Sequence, residues 1–386
     1  MRTLCKAVRF STSPLLVSAT QASQVQVQRT SSLRPKPDLT QPLTFGKHIA
    51  DHMLEVSWTA DQGWGVPLIK PYEPLKLDPA VSALHYAVEC YEELEAVQGA
   101  DGQIFMFRPE LYMKRLAESA EAVCLPTFPP AELTTLLKQM ISLDAGWVPA
   151  MKNSGLYVRV NFFSDHNVLG VTRPLKAKLT AYSTPHSTFS PSGLHPVRLF
   201  CDETVVRTWP GGVGQFKVGA NYVNGVMHTD RIRKQGYQHM LWTVSNSHLD
   251  GNVTEAGRMN FFVVVKSEDS DLQVVTPPLD GLIIPGITRE CVLELVKDLP
   301  QYEIVERPMR VEELLKALQE KRVVECFGTG SRMFVVPVQT VHIRGKDYEV
   351  PLKLQNCGRL AKWVHDHLKE IQCGAKQHPW AAAVSR

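Results

Sequence analysis

One lysine lies in a glycine-rich segment whose composition suits a reactive amine. Residues 211–222 read GGVGQFKVGANY, so Lys217 stands among four glycines and Tyr222 follows five residues later. Glycine lets the backbone approach a flat ligand closely, and a lysine amine becomes a nucleophile when desolvation or a nearby cation lowers its pKa. The segment therefore indicates a nucleophilic Lys217, although a lysine between glycines is more often a solvated loop residue.

A glutamate stands immediately before the most apolar strand that the sequence predicts. Residues 254–260 read TEAGRMN and lead into FFVVV at 261–265, so Glu255 lies at the mouth of this strand. A carboxylate in that position can face a pyridinium nitrogen and keep it protonated, which lets the ring accept the electrons of a carbanion. The simpler alternative is a turn glutamate before a strand.

Three further segments have the composition of anion-binding sites. Residues 285–289, PGITR, open a predicted helix whose free N–H groups and positive dipole end would hold a phosphate. Residues 327–331, FGTGS, follow a strand and are a candidate backbone nest for a second anion. Arg108, in Phe-Arg-Pro, is a candidate bidentate phosphate ligand, although an arginine before proline is more often simply exposed. Each segment alone predicts only a turn.

Periodicity predicts the helices and strands that must position these residues. Helical spacing of apolar residues predicts helices at 78–99, 109–124 and 354–371, and others after Pro130, after Gly286 and around Leu314. Alternating or continuous apolar runs predict strands at 104–107, 156–163, 177–183, 197–200, 239–244, 259–265 and 322–326. Asp280-Gly281 predicts a hairpin-like turn. Together these elements indicate an α+β fold.

Composition divides the chain into three parts. Residues 1–35 are rich in Ser, Thr, Ala, Gln and Arg, and no acidic residue precedes Asp38. This predicts a mitochondrial transit peptide that carries none of the fold; the alternative is a disordered basic tail without an address, on a cytoplasmic protein. The Pro/Ser/Gly-rich stretch 183–196 predicts a domain boundary, with a small N-terminal α+β domain at 36–190 and a larger C-terminal domain at 191–386.

Bulk properties exclude several classes of function. The chain has 386 residues, is 44% hydrophobic and has a formal net charge of +3, so it is long enough for two cores and has no basic field for nucleic acid. No apolar run approaches the length that spans a bilayer. The eight cysteines are scattered, without a CxxC or a Cys/His cluster at metal-ligand spacing, so no metal site is expected.

Taken in order, six segments resemble the signature of a known enzyme family. They are FRP (107–109), LYVR (156–159), GGVGxxKxGxNY (211–222), TExGxMN (254–260), PGIT (285–288) and FGTGS (327–331). The set resembles the mitochondrial branched-chain amino acid aminotransferases, and the resemblance extends from about residue 45 to the C-terminal helix. It implies a two-domain enzyme of fold type IV, with pyridoxal 5'-phosphate bound between the domains.

The resemblance also implies a role for each residue of the site. Lys217 would bond covalently to the cofactor and move the proton, Glu255 would pair with its pyridine nitrogen, and Tyr222 would hydrogen-bond its 3-hydroxyl. The residues implied to bind the phosphate are Arg108, Ile287, Thr288 and Ser331. The walls of the implied substrate pocket are Phe45, Tyr86, Tyr91, Tyr157 and Phe189. Arg159 would meet the side-chain carboxylate of glutamate.

The implied reaction is the reversible transfer of the amino group of leucine, isoleucine or valine to 2-oxoglutarate, giving glutamate and branched-chain 2-oxo acids. Aromatic walls would accept aliphatic side chains, and one arginine would serve the acidic co-substrate. The resemblance further implies a homodimer in the mitochondrial matrix, with small-molecule amino acids and 2-oxo acids as its ligands and no membrane or nucleic-acid partner.

Four charged residues depart from this signature. At 91–95 the chain reads YEELE, so Glu93 and Glu95 replace a glycine and a cation of the family, which is expected to extend a helix and weaken anion binding. Arg258 replaces a threonine, and Arg332 replaces a small residue, where its N–H would bind the substrate carboxylate and its guanidinium would reinforce that contact or fill the pocket.

These departures leave alternatives open. One is another type IV enzyme, such as a D-amino acid aminotransferase or an aminodeoxychorismate lyase, because a fold does not fix its substrate. The other is a catalytically weak homodimer that is kept for its interactions. We expect an active enzyme with altered specificity, because Lys217, Glu255 and both anion-binding turns are present together.

Overall fold

The computed structural model describes residues 21–187, 194–245, 251–267, 271–332, 334–354 and 356–385. The helices are α1 (Ser82–Tyr86), α2 (Pro109–Ala122), α3 (Pro130–Leu143), α4 (Ala220–Arg233), α5 (Ile287–Val296), α6 (Val311–Gln319) and α7 (Arg359–Gln372). The strands are β1 (Gln26–Val27), β2 (His52–Thr59), β3 (Gly63–Trp64), β4 (Leu68–Pro71), β5 (Glu89–Gln98), β6 (Ile104–Phe107), β7 (Ser154–Ser164), β8 (Lys176–Ser187), β9 (Val197–Cys201), β10 (His239–Val244), β11 (Asn252–Ala256), β12 (Met259–Lys266), β13 (Leu272–Thr276), β14 (Tyr302–Glu306), β15 (Val323–Thr329), β16 (Val335–Ile343), β17 (Lys346–Glu349) and β18 (Ala381–Val384).

A first sheet is formed by the strands that precede residue 188, together with β18. Its order is β1-β4-β2-β8-β7-β5-β6-β18, and β3 pairs with β2. The long antiparallel pairs β2–β8, β8–β7 and β7–β5 form its centre. The apolar faces of α2 and α3 pack on this sheet, burying Tyr112, Leu116, Leu136 and Leu137 in the same core as the strands.

A second sheet contains the strands between residues 197 and 349. Its order is β11-β10-β9-β16-β15-β12-β13-β14, and β17 pairs with β16. Because β11 also pairs with β12, six of these strands close into a barrel. Leu199, Leu241, Phe261 and Val338 are buried in the core of this part of the molecule. Two sheets with helices packed against them confirm the expected α+β fold.

The region 78–99 corrects one prediction, because only α1 is helical there and β5 is a strand. Ala87 adopts a left-handed backbone conformation that ends α1, and β5 then pairs with β6 on one edge and β7 on the other. Glu92 and Glu95 of this strand are buried against Arg115 and His186 on distant segments, so they resemble the polar face of a helix only in the sequence. Glu93 therefore extends no helix.

Most other elements lie where periodicity predicts them, with three smaller differences. Helices α2, α3, α5 and α6 and strands β6 to β10 and β12 are confirmed. Strand β15 continues through Thr329, α7 begins only at Arg359, and Asp280-Gly281 is a bend between β13 and α5 instead of a hairpin. Gly281 has φ 95°, a conformation that glycine adopts without strain.

Segments near both ends of the described part of the chain contribute to the first sheet. Strand β1 pairs in parallel with β4, Ala22 is buried, and its N–H donates to Glu132 Oε2 at 2.6 Å. Residues 21–27 thus belong to the fold, which differs from the expectation that the first 35 residues carry none of it. Strand β18 lies beside β6, although the expected division assigns it to the C-terminal domain.

Within the described residues, no helix combines the length and apolar character that a bilayer crossing requires.

Candidate active site

The segment that carries Lys217 is fixed against β5 of the first sheet and against α2. The N–H of Tyr91, at the start of β5, donates to the Lys217 carbonyl at 3.0 Å, and Cys90 and Val218 form a β-bridge. The Lys217 N–H donates to Ser119 Oγ on α2 at 2.9 Å, and Asn221 Nδ2 donates to the carbonyls of the preceding loop. The backbone of Lys217 is therefore held in one place by contacts from several elements, and its side chain is buried.

Two cavities meet at this lysine. The first, which we call the aromatic chamber, has a volume of about 310 Å³. Its walls include Phe45, Tyr91, Glu93, Tyr157, Arg159, Lys217, Tyr222, Arg258, Ser331 and Arg332. Alternation along β5 and β7 places Tyr91 and Glu93 on the same face of the sheet as Tyr157 and Arg159. The structure thus brings most of the implied substrate residues together around the amine.

The second, which we call the anion cavity, lies where three turns converge. Its walls include Arg115, Lys217, Tyr222, Glu255, Ile287, Thr288, Thr329 and Ser331. Thr288, in the first turn of α5, donates its hydroxyl to the Gly330 carbonyl at 3.1 Å, which joins the two turns that sequence composition singles out. N–H groups at the start of a helix, three Ser or Thr hydroxyls and an arginine together have the chemistry to hold a phosphate.

Glu255 lies in β11, directly opposite Asn260 at the start of β12, and it is buried. Its Oε2 lies 2.5 Å from Arg207 Nη2, and its Oε1 accepts the Ile284 N–H at 2.9 Å. Burial raises the pKa of Glu255 above its ordinary value, while Arg207 and the Ile284 N–H act in the opposite direction. The carboxylate is therefore held in one orientation at the edge of the anion cavity, where it can face a ring nitrogen.

Arg115 is a residue of this cavity that the sequence did not single out. It lines the anion cavity, donates from Nε and Nη2 to both oxygens of Glu92 at 2.8 Å, and donates to the Pro285 carbonyl at 3.1 Å. Its position on α2 was the available signal, because it lies on the same helix face as Tyr112 and Ser119, which are buried. An arginine on an apolar helix face requires a partner.

Arg108 does not lie where the resemblance implies. Its guanidinium contacts the outer side of α5, with Nη2 donating to Glu290 at 2.7 Å and Nη1 lying 3.5 Å from Glu294. It also stacks over Trp380, with 4.8 Å from Cζ to the ring centroid. Arg108 is the residue before α2 and has φ 44°, which turns its side chain towards this surface. Arg115, about two turns further along the chain, lies in the anion cavity, where the resemblance implies Arg108.

One implied substrate residue, Tyr86, does not line the aromatic chamber. Tyr86 lies on the short helix α1, is 41% exposed, and donates its hydroxyl to the Leu169 carbonyl at 3.1 Å. The helix ends at Tyr86 and presents it to the surface, so within this chain Tyr86 is not a wall of the chamber. Phe189 lies outside the described residues.

The charged residues that depart from the family signature have distinct positions. Glu93 lines both cavities, with Oε1 3.1 Å from Lys217 Nζ. Glu95 is buried away from them and pairs with His186 at 2.8 Å. Arg258 lines both cavities, and the Arg332 guanidinium lies over the Phe45 ring, 4.5 Å from its centroid. Three of the four departures therefore change the charge of the site itself.

The anion cavity fits pyridoxal 5'-phosphate by the chemistry of its residues. Among the described residues, the buried hydroxyl of Thr329 has no hydrogen-bond partner, and it lies in the wall of this cavity. A buried hydroxyl without a partner is unfavourable unless a ligand accepts its proton. Lys217 offers an amine for the aldehyde, Glu255 a carboxylate for the ring nitrogen, and Arg115 a guanidinium for the phosphate.

A larger cavity of about 400 Å³ lies elsewhere, between β13, β15 and α7. Lys266, Tyr302 and Trp363 are among its walls, and it includes none of the residues that the sequence singles out for chemistry. Volume alone therefore does not identify the active site.

Comparisons with known proteins point to one family of enzymes. Residues 90–341 match the model of the amino-transferase class IV family. The mitochondrial branched-chain-amino-acid aminotransferase of Bos taurus is 38% identical over 382 residues, which cover 99% of this chain and 95% of that protein. A branched-chain-amino-acid aminotransferase of Dictyostelium discoideum is 36% identical over 97% of this chain and 98% of its own length. The cytosolic branched-chain-amino-acid aminotransferase of Saccharomyces cerevisiae is 38% identical over 94% of this chain and 97% of its own length.

Solved structures show the same fold. The branched-chain amino acid aminotransferase of Escherichia coli superposes with a TM-score of 0.66 at 21% identity, covering 86% of this chain and 99% of that one. That of Thermobaculum terrenum, in its holo form with pyridoxal phosphate, has a TM-score of 0.66 at 18% identity and covers 86% and 98%. The arrangement is therefore fold type IV, as the resemblance implies.

Proposed function

The chain belongs to the class IV aminotransferase family, and from this premise we propose that it is a branched-chain amino acid aminotransferase. The reaction is the reversible transfer of the amino group of leucine, isoleucine or valine to 2-oxoglutarate. One observation carries the proposal: the Lys217 amine lies where the aromatic chamber and the anion cavity meet. A substrate on one side and a cofactor on the other would then both reach it.

The anion cavity is the proposed cofactor site. Arg115, the first N–H groups of α5 at Ile287 and Thr288, and the Ser331 turn would hold the phosphate. Glu255 would pair with the pyridine nitrogen, and Tyr222 would bind the ring hydroxyl. When bound, pyridoxal 5'-phosphate supplies a sink for the electrons of the substrate Cα–H bond.

Lys217 is the proposed acid–base catalyst. As a neutral amine, its Nζ takes the proton from the substrate α-carbon, and as an ammonium it returns a proton. The side chain is buried and lies close to the rings of Tyr91 and Tyr222, with Nζ 4.7 and 5.9 Å from the two centroids. These rings exclude water from the amine while the proton moves.

The walls of the aromatic chamber support an aliphatic substrate. Phe45 and Tyr157 meet edge to face, with ring centroids 4.9 Å apart, and Tyr91 and Tyr222 lie 5.3 Å apart. Such walls accept a branched aliphatic side chain by apolar contact. The relatives named above as branched-chain aminotransferases support the same substrate class.

The test is the absorption spectrum of the purified protein after incubation with pyridoxal phosphate. We expect a visible band that leucine bleaches and 2-oxoglutarate restores, and we expect Lys217→Ala to lack it. Lys114→Ala, on the exposed side of α2, is the matched control and should keep the band.

A second candidate is the catalytically weak homodimer, which the ion pair between Glu93 and Lys217 favours. Burial opposes the charge of Lys217, but the nearby Glu93 carboxylate outweighs it and raises the pKa of the amine, which keeps it protonated. Absence of a visible band in the wild-type protein at any pyridoxal phosphate concentration would support this candidate over the transaminase.

We also propose a homodimer. An exposed apolar surface lies beside α1. It consists of Tyr86 with the nearby Leu84, Leu169 and Val171, which are 63%, 71% and 81% exposed. A partner subunit that covers this surface would bury Tyr86 and would agree with the family resemblance. Sedimentation equilibrium tests it: Val171→Glu should shift the protein towards monomer, and a stable wild-type monomer that still turns over would contradict the dimer.

We propose a mitochondrial location, with the cytoplasm as the alternative. The composition of residues 1–35 and the mitochondrial relative from cattle support it, whereas the yeast relative is cytosolic. Because Ala22 is buried and bonded to Glu132, any cleavage is expected before residue 22. Imaging of the full chain against a chain without residues 2–21, each fused to a fluorescent protein, distinguishes the two locations.

A further inference from the structure

In the aromatic chamber, the arginine that is expected to meet an acidic co-substrate already has a carboxylate of the protein beside it. The described walls include four cations, Arg159, Lys217, Arg258 and Arg332, and one carboxylate, Glu93. Glu93 Oε2 lies 3.4 Å from Arg159 Nη2 and also accepts the hydroxyl proton of Tyr157. The arginine that the resemblance assigns to the side chain of glutamate is therefore already paired with a carboxylate of the protein.

Backbone register fixes this pair. Glu93 on β5 lies directly opposite Arg159 on β7, so their side chains leave the same face of the sheet as neighbours. Arg159 is further held by its hydrogen bond to Tyr157 at 2.6 Å and by the Tyr91 ring, 4.4 Å from its Cζ. Neither partner can turn away without losing these contacts.

Glu93 is ionised at neutral pH. Burial alone would favour its neutral form, but the charges of Lys217 and Arg159 and the hydrogen bond from Tyr157 outweigh burial and lower the pKa of Glu93 to about 2. Its charge is shared between Lys217 and Arg159. When the Lys217 amine is neutral, as the proposed reaction requires, Arg159 is left as the main partner of this carboxylate.

We propose that Glu93 determines specificity by neutralising Arg159, so that the chamber selects substrates with one carboxylate over those with a second carboxylate in the side chain. The inference rests on the proposed transaminase function and names the substrate class within it. A substrate side-chain carboxylate beside Arg159 would compete with Glu93 for the same guanidinium. The Glu93 carboxylate would also repel it, because both groups are negatively charged. An aliphatic side chain meets no such repulsion, and the α-carboxylate is common to both classes.

The experiment compares the binding of two unreactive acids to the protein loaded with pyridoxal phosphate. Glutarate represents the dicarboxylic class and 4-methylpentanoate the branched monocarboxylic class, and titration calorimetry gives both dissociation constants without turnover. In Glu93→Gln, which keeps the shape and removes the charge, we expect glutarate to bind at least tenfold more tightly and 4-methylpentanoate to change less than threefold. The dicarboxylic co-substrate of the reaction should show a parallel fall in its Michaelis constant.

Two variants control for charge and for folding. Glu118→Gln makes the same chemical change on the exposed side of α2 and should leave both dissociation constants unaltered. Glu93→Ala also removes the charge. If circular dichroism shows that Glu93→Gln disturbs the fold, the dissociation constants of Glu93→Ala are compared with those of the wild type instead.

The outcomes separate this inference from the proposed function. An unaltered ratio of the two dissociation constants in the folded, charge-free variants overturns the role of Glu93, while a leucine-dependent spectral change in the same samples keeps the transaminase. A wild-type protein that binds neither acid and shows no spectral change overturns the proposed function itself.

Discussion

Arg207 and Glu255 form a buried ion pair in which Nη2 and Oε2 lie 2.5 Å apart. Arg207 also donates from Nη2 to the Leu282 carbonyl at 3.2 Å, so it links the carboxylate to the loop before α5. Burial raises the pKa of Glu255, and the Arg207 charge limits that rise. Arg207 is therefore a positioning residue that keeps Glu255 oriented and ionised.

Replacement of Arg207 by Met should change the pH dependence of the reaction. Loss of the cation raises the pKa of Glu255 further, so the ionised carboxylate, and the activity that needs it, should be lost at a higher pH as the solution is acidified. The measurement is the acid limb of kcat/KM against pH. Breaking a buried pair on one side also costs about 3 to 5 kcal/mol of stability.

Two controls accompany this variant. Arg231→Met breaks a pair with Asp202 on the exposed surface of α4 and should leave the acid limb in place. Arg207→Met combined with Glu255→Gln removes both buried charges and should recover much of the stability. An acid limb in Arg207→Met that coincides with the wild type would show that Arg207 does not tune Glu255.

Sequence periodicity predicts most of the fold because most helices and strands bury one apolar face. It fails at β5, where Glu92 and Glu95 lie on opposite faces and both are buried. Their partners, Arg115 and His186, come from segments that are remote in the sequence. A buried carboxylate and an exposed one look the same in a sequence, so the strand resembles a charged helix there.

The site was predictable where glycines and turn residues mark a local structure. Lys217, Glu255 and Thr288 belong to such segments, and the structure brings them to one cavity. The arginine that we propose for the phosphate was not predictable in the same way, because Arg108 and Arg115 both lie near the start of α2 and only packing shows which one faces inward.

Acid should destabilise the folded protein through two histidines. Burial, with nearby cations, lowers the pKa of His239 and of His365 from 6.5 to about 4. The unfolded chain therefore binds protons at a higher pH than the folded one, and the free energy of unfolding should fall as the pH drops from 6.5 to 4. Urea titrations across this range measure the loss.

The contribution of His365 can be isolated by replacement. His365→Leu removes one of the two groups, so its free energy of unfolding should fall less steeply between pH 6.5 and 4 than that of the wild type. His85→Leu, at an exposed position of α1, is the matched change. Equal slopes for all three proteins would contradict a role for the buried imidazole.

Gly286 should tolerate no side chain. A Cβ at this position, which caps α5, would lie 2.0 Å from Asn260 Oδ1, and Asn260 is itself held by its bond to the Ile284 carbonyl at 2.8 Å. We expect Gly286→Ala to lower stability by about 1 to 3 kcal/mol and to weaken cofactor binding. Gly170→Ala, where the nearest atom is at 3.6 Å, should do neither. Thermal unfolding and a pyridoxal phosphate titration measure the two effects.

Arg115 and Arg108 allow the proposed phosphate site to be tested within one helix start. A lysine at position 115 keeps the charge but cannot hold both Glu92 oxygens and an anion at once, so Arg115→Lys should weaken pyridoxal phosphate binding about tenfold. Arg108→Lys alters contacts with Glu290 and Trp380, which lie outside the anion cavity, so its affinity should stay within twofold of the wild type. Fluorescence titration of the cofactor-free proteins gives both constants. A greater loss of pyridoxal phosphate affinity in Arg108→Lys than in Arg115→Lys would contradict this assignment. It would indicate that Arg108 binds the phosphate and that α2 rotates when the cofactor binds.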